Sequence, residues 1–97
     1  MAKGGFVYLL ASGRNGTLYL GVTSDLTRRM AQHRQKTLGG FTARYSVERL
    51  VWFEALPTIE DAIAAEKTMK KWRRAWKIAL IESTNPEWRN LADDVMG

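Results

Sequence analysis

Residues 6–34 read FVYLLASGRNGTLYLGVTSDLTRRMAQHR, and this stretch decides the fold. Two apolar, β-prone runs, 6–11 and 17–22, flank the turn-forming segment SGRNG, so the stretch opens as a hairpin. Asn15-Gly16 is the tightest candidate turn, because both residues tolerate positive φ. A turn centred there pairs Tyr8 with Thr23, whereas one centred on Gly13-Arg14 pairs Tyr8 with Tyr19. Side chains alternate with period two along a strand, so both registers put Tyr8, Tyr19 and Gly21 on one face.

The second strand leads directly into a helix running to about Gln35. Thr23 or Ser24 is the expected cap, with Asp25 in the first turn, where negative charge is favoured. Leu26 and Met30, four apart, form its core stripe. Arg29 and His33, also four apart, form a second stripe beside it.

Beyond a Gly-containing loop at 37–45, residues 47–56 read as a third strand. Its continuous Leu50-Val51-Trp52-Phe53 centre is expected to be buried on both faces, as in a central or covered strand. Pro57 ends it, and Thr58 with Asp61 three residues on starts a second helix over 59–72. A third helix follows over 74–82 until Asn85-Pro86 stops it. Residues 87–97 form a short tail with Trp88 and Leu91 as anchors. The outline is an α/β (α+β) fold, a small three-stranded antiparallel sheet flanked by helices in the order β-β-α-β-α-α. At 97 residues, the chain is expected to be a single domain over 1–97.

Composition excludes several chemistries. With no cysteine and one histidine, thiolate catalysis, Cys-based zinc sites and His-rich metal sites are ruled out. Apolar runs are too short for a bilayer span and the start shows no export pattern, so a cytoplasmic location is the expectation. A formal charge of +5 and a pI near 9.9 favour a polyanionic partner. The cations cluster. Arg28, Arg29, His33, Arg34 and Lys36 follow one another along the first helix. Lys67, Lys70, Lys71, Arg73, Arg74 and Lys77 follow along the second and third, interleaved with Trp72 and Trp76. Such stretches neutralise phosphates, or else form a solvated face over buried Trp.

Glu66 is the most informative acidic position. On the second helix, Ile59, Ala62, Ile63, Met69 and Trp72 define an apolar arc, and Glu66 falls inside it. A carboxylate there needs a partner, which can be Lys70 at i+4, Arg29 across the core, or a metal cation. Tyr8 and Tyr19, taken alone, read as ordinary core or cross-strand aromatics.

Together these residues resemble the GIY-YIG nuclease superfamily. Val7-Tyr8-Leu9 stands where that pattern has Gly-Ile-Tyr, without its Gly, and Tyr19-Leu20-Gly21 stands for Tyr-Ile-Gly. The run GVTSDLTRRMAQH matches the family's Gly-x(7)-Arg-x(3)-His spacing on Arg29 and His33, and Glu66 matches its helix-borne Glu. The segment AEKTMKKWRRAWKIALIESTNPEW resembles small stand-alone bacterial members similar to the N-terminal domain of excinuclease C. The resemblance spans residues 6–88. It implies a metal-dependent endonuclease hydrolysing phosphodiester bonds in nucleic acid, DNA more than RNA, in repair or recombination. Tyr8 would be the general base, helped by cations that lower its pKa, and Tyr19 and His33 would position it. Arg29 would hold the scissile phosphate and Glu66 would hold one Mg²⁺ or Mn²⁺. Asn85 would be the family's C-terminal Asn, with Asn90 the alternative, and the products would carry 5′ phosphate and 3′ hydroxyl ends. Arg28, Arg34, Lys36, Lys70, Lys71, Arg73, Arg74 and Lys77 would contact the nucleic acid. The competing readings are a non-catalytic DNA- or RNA-binding module on the same fold, and a protein-interaction domain using exposed Trp.

Overall fold

The computed structural model describes residues 4–35, 40 and 45–96. Lys36 and most of the 37–45 loop lie outside the described residues. Three antiparallel strands, β1 (Gly5–Ala11), β2 (Leu18–Thr23) and β3 (Arg49–Leu56), form one sheet in the order β2-β1-β3. Helix α1 (Leu26–Arg34) follows β2, and α2 (Ile59–Lys70), α3 (Arg74–Thr84) and the short α4 (Ala92–Met96) follow β3. The expected order is therefore present, with α4 added in what the sequence suggested was only a tail.

The hairpin register lies between the two expected from sequence. Tyr8 pairs with Gly21 and Leu10 with Tyr19. The Gly16 amide bonds the Gly13 carbonyl at 2.9 Å and Asn15 takes φ 55, so the turn is centred on Arg14-Asn15. Ser12 closes the loop by accepting the Thr17 amide on its hydroxyl and donating its own amide to the Thr17 carbonyl, each at 3.0 Å. Parity is preserved: Tyr8, Leu10, Tyr19 and Gly21 share a face.

Apolar side chains cover the sheet on both sides. Val7, Leu9 and Ala11 pack with Met69 of α2 and Ile81 of α3, whereas Tyr8 and Leu10 pack with Leu26 and Met30 of α1. The central strand is thus β1, and its fully buried Val7–Ala11 run reflects that. β3 lies at the edge, contrary to a central placement, but it is covered. A bulge where Leu9 meets Trp52 and Leu10 meets Leu50 turns both Val51 and Trp52 toward the α2–α3 side.

The C-terminal segment closes the outer side of β3. The Leu50 amide donates to Asn90 Oδ1 at 3.2 Å, the Leu91 amide to the Leu50 carbonyl at 2.7 Å, and Asn85 Nδ2 to the Val51 carbonyl at 3.1 Å. Arg49 adds a 3.1 Å bond to the Trp88 carbonyl. Trp88 itself is fully buried, its indole N–H donating to Glu82 at 2.8 Å.

Two helix starts follow local chemistry. Thr58 caps α2 by accepting the Asp61 amide at 3.1 Å, as its spacing predicts. At α1 the cap is Asp25, which accepts the Arg28 amide at 3.1 Å. Thr23, one of the expected caps, instead accepts the Asp25 amide on its hydroxyl, also at 3.1 Å, and so fixes the capping residue. No described helix is long and apolar enough to cross a membrane.

Candidate active site

The hairpin and α1 bring four of the expected residues together. The Tyr8 hydroxyl lies 3.1 Å from His33 Nε2, joining β1 to α1 across 25 residues of chain. The rings of Tyr8, Tyr19 and His33 form a triangle with centroids 5.8–6.4 Å apart, tilted or edge-to-face. Arg29, one turn before His33, places its charge beside both groups and pulls the pKa of each down. The Tyr8 hydroxyl donates to His33 Nε2 when the neutral ring carries its proton on Nδ1, and accepts from it in the other tautomer. Gly21, paired with Tyr8, makes this packing possible. A Cβ there would overlap the Tyr8 ring and hydroxyl.

Burial sets the protonation states. Desolvation, with Tyr19 beside it, pushes the Tyr8 hydroxyl up to about 12, and the opposing pull of Arg29 does not offset this. Burial and the neighbouring Arg29 charge push His33 down to about 4. At neutral pH the resting site therefore holds a protonated phenol against a neutral imidazole. This corrects the expectation that surrounding cations lower the Tyr8 pKa: within the protein alone, desolvation wins.

Arg29 also lines a polar pocket of ≈ 290 Å³ with Arg28, Gln32, Thr23, Ser24 and Asp25. Its two guanidinium groups and hydroxyls suit an anionic ligand, and Arg28 stands there as the sequence suggested.

Glu66 belongs to the other layer, and the structure gives it no contact with Tyr8, Arg29 or His33. It lies on α2, which packs against β1 and β2, the strands that carry Tyr8 and Tyr19. Its side chain is 13% exposed and Oε2 lies 3.5 Å from Lys70 Nζ, so the i,i+4 partner is present. That distance exceeds the roughly 2.7–2.9 Å of a tight charge-assisted bond, and Lys70 is solvent-facing, so the pair is loose. Ile63, assigned to the same apolar arc, is exposed, and the buried contacts of α2 run instead through Ala62, Ala65 and Met69.

The described residues contain no cluster of three or more His, Cys, Asp or Glu able to cage a metal. A largely sheltered carboxylate with a displaceable partner does fit a hard divalent cation that keeps water and takes phosphate oxygens as its other ligands.

Asn85 stands elsewhere. Its amide donates to the Val51 and Arg89 carbonyls at 3.1 and 2.9 Å, and its Oδ1 accepts the Arg89 amide at 2.9 Å. Asn90 is similarly engaged with the Leu50 and Ala92 amides. Both candidates for the C-terminal Asn thus hydrogen-bond main chain at and beside β3.

Among the cations, Arg34 pairs with Asp93 at 3.3 Å and Arg74 donates to the Asn15 and Gly16 carbonyls at 2.9 and 2.6 Å. Arg74 therefore braces the hairpin loop instead of standing free for phosphate. Lys71 and Arg73 are exposed, Lys77 is half-buried, and Lys70 is the partner of Glu66. Sequence reasoning missed Gly21 as the space for Tyr8 and Thr23 as the residue that orients the α1 cap. The strand parity that placed Gly21 beside Tyr8 was the available signal for the first.

Comparison with known proteins places the chain in a family. Residues 4–79 match the GIY-YIG catalytic domain family. A UPF0213 protein of Cupriavidus pinatubonensis is 34% identical over 74 residues, 76% of this chain and 81% of that protein. A UPF0213 protein of Streptococcus pyogenes serotype M5 is 32% identical over 91% of this chain and 96% of its own. The solution NMR structure of a UPF0213 protein from Bacillus halodurans matches with a TM-score of 0.55 at 29% identity, covering 90% of this chain and 92% of that one.

Proposed function

The chain belongs to the GIY-YIG catalytic domain family and to the UPF0213 family of small bacterial proteins, and from that premise we propose that it is a divalent-metal-dependent endonuclease acting on DNA, with residues 1–97 working as one domain. The observation that carries this reading is the convergence of Tyr8, Tyr19, Arg29 and His33 beside a polar, doubly cationic pocket.

In the proposed reaction, Arg29 binds two oxygens of the scissile phosphate with its planar fork. His33 accepts the hydrogen bond of Tyr8 and so fixes the direction of the phenol oxygen, while the Tyr19 ring packs against both. Water attacks phosphorus and the bond to the 3′ oxygen breaks; the Tyr8 proton passes to His33 Nε2, the water proton passes to the Tyr8 oxygen, and the departing 3′ oxygen takes a proton from solvent to become the hydroxyl. Positive charge beside Tyr8 favours the loss of its proton, and Arg29 already acts in this direction. Mg²⁺ or Mn²⁺, held through Glu66 when bound, supplies the further positive charge that stabilises the phosphate and the leaving oxygen.

Cleavage of labelled DNA and RNA structures, with Mg²⁺ or Mn²⁺ and with chelator, tests the proposal. Metal-dependent cutting by the parent and none by a folded Glu66→Ala variant is the supporting result. One observation favours the second reading, a binding module: the Tyr8 hydroxyl of the resting site stands far above the range of a neutral-pH base. Salt-sensitive binding without product under every metal condition would select that module.

A further inference from the structure

We propose that Trp76 is a stacking platform for an unpaired base of single-stranded DNA, with Arg73 and Lys77 neutralising the adjoining phosphates. The inference rests on the DNA-directed function proposed above and assigns part of its substrate, a strand with at least one unstacked base near the cut.

Trp76 is the anomaly among the four Trp. Trp88 and Trp52 are buried and Trp72 is half-buried, yet Trp76 is 55% exposed in the first turn of α3. An exposed indole in a small domain calls for a use. It is braced, with the Trp72 ring edge-to-face at 6.3 Å and the Arg73 guanidinium 5.9 Å from its centroid. A ring fixed this way loses little further freedom when a ligand stacks on it.

Its surroundings favour a polyanion over an apolar protein partner. Residues 67–81 contain six Lys or Arg and no Asp or Glu. The N-cap of α3, Arg73, makes no side-chain capping bond, so the first-turn amides add their partial positive charge. Cations around an exposed aromatic are the combination that binds single strands, because phosphates meet charge and bases meet a π face. In a duplex both faces of each base are covered by neighbours, so a lone indole selects an unstacked base.

Lys77, next to Trp76 in the chain, faces the edge of the sheet that leads toward the active site. Lys77 and Arg74 line a cavity of ≈ 330 Å³ with Thr17 and Leu18, and Leu18 is followed on β2 by Tyr19. β2 is an edge strand, so a nucleic-acid strand rounding that edge passes from the Tyr19 face to α3.

Fluorescence anisotropy in chelator tests this without requiring cleavage. Labelled oligothymidine, a ribo-oligomer (oligouridine) of the same length and a blunt duplex of equal charge are titrated into the parent, Trp76→Ala and Trp76→Phe. Expected are a loss of about tenfold in single-strand affinity for W76A, less than twofold on the duplex, and most of the affinity retained by W76F. The salt slope should be kept in W76A and become shallower in an Arg73→Ala/Lys77→Ala variant. Equal losses on both DNAs, no loss, no single-strand binding by the parent, or preference for the ribo-oligomer would each overturn the proposal. Because Trp76 is exposed, these variants should melt with the parent. Trp76-dependent binding by a protein that cuts nothing keeps the platform and removes the nuclease. Cutting that is indifferent to Trp76, with unchanged single-strand affinity, does the reverse.

Discussion

Gly21 lies directly across the β1–β2 pair from Tyr8, and the volume a Cβ would fill there is taken by the tyrosine ring and hydroxyl. Gly21→Ala should therefore displace Tyr8 from His33 and Arg29. Activity is expected to fall at least tenfold, with stability lowered by about 1–3 kcal/mol from overpacking. Cleavage rate and thermal melting of the same preparation check both effects.

Glu66→Gln should abolish metal-dependent cutting while leaving the fold almost untouched. The interaction removed from the resting protein is a loose pair with a solvent-facing Lys70, and a pair with one partner in solvent contributes at most about 1 kcal/mol. A melt unchanged from the parent, together with loss of Mn²⁺-stimulated product, is the expected pattern. Retained cutting would remove Glu66 from the metal site.

Asn85→Ala should do the opposite. Removing a buried amide strands the Val51 and Arg89 carbonyls and the Arg89 amide, and a loss of about 2–3 kcal/mol is expected. Rate per folded molecule, measured well below the melting temperature, should stay within about twofold of the parent, as scaffold residues leave the chemical step alone. A large loss of rate at full folding would return Asn85 to the catalytic group.

Acid should weaken the protein through His33. Its folded pKa of about 4 lies below the ordinary 6.5, so the folded state resists protonation. This contribution is fully present above pH 6.5 and is lost as pH falls toward 4, by at most about 3 kcal/mol. Denaturant midpoints across pH 7 to 4 should fall less steeply in His33→Gln. Tyr8 acts at the other end: with its folded pKa raised to about 12, its contribution holds below pH 10 and is lost above it. If Tyr8 is the base, the cleavage rate should climb with pH on the alkaline side of neutrality, and Tyr8→Phe should lose that climb along with most activity.

The site was legible in sequence where local rules govern. Period-two alternation placed Tyr8, Tyr19 and Gly21 together, and i,i+4 spacing placed Arg29 beside His33; both relations survive a register that neither candidate turn anticipated. Burial energetics were not legible. Whether Tyr8 gains more from Arg29 than it loses to desolvation depends on how tightly β1 and α1 close around it, which no spacing reveals. Whether β3 is central or covered was likewise not legible, because its apolar run looks the same whether a strand or a main-chain segment closes its edge. Asn85 matched a motif position, but its partners, Val51 and the 85–89 turn, are set by tertiary contact.

Residues 85–91, beyond the family match that ends at 79, occupy the hydrogen-bonding side of β3 at Leu50 and Val51. An open strand edge of this apolar character is adhesive, because it offers the next molecule a ready ladder. The segment therefore acts as a guard against aggregation, and a version trimmed to the catalytic signature would gain a surface on which copies of itself could polymerise.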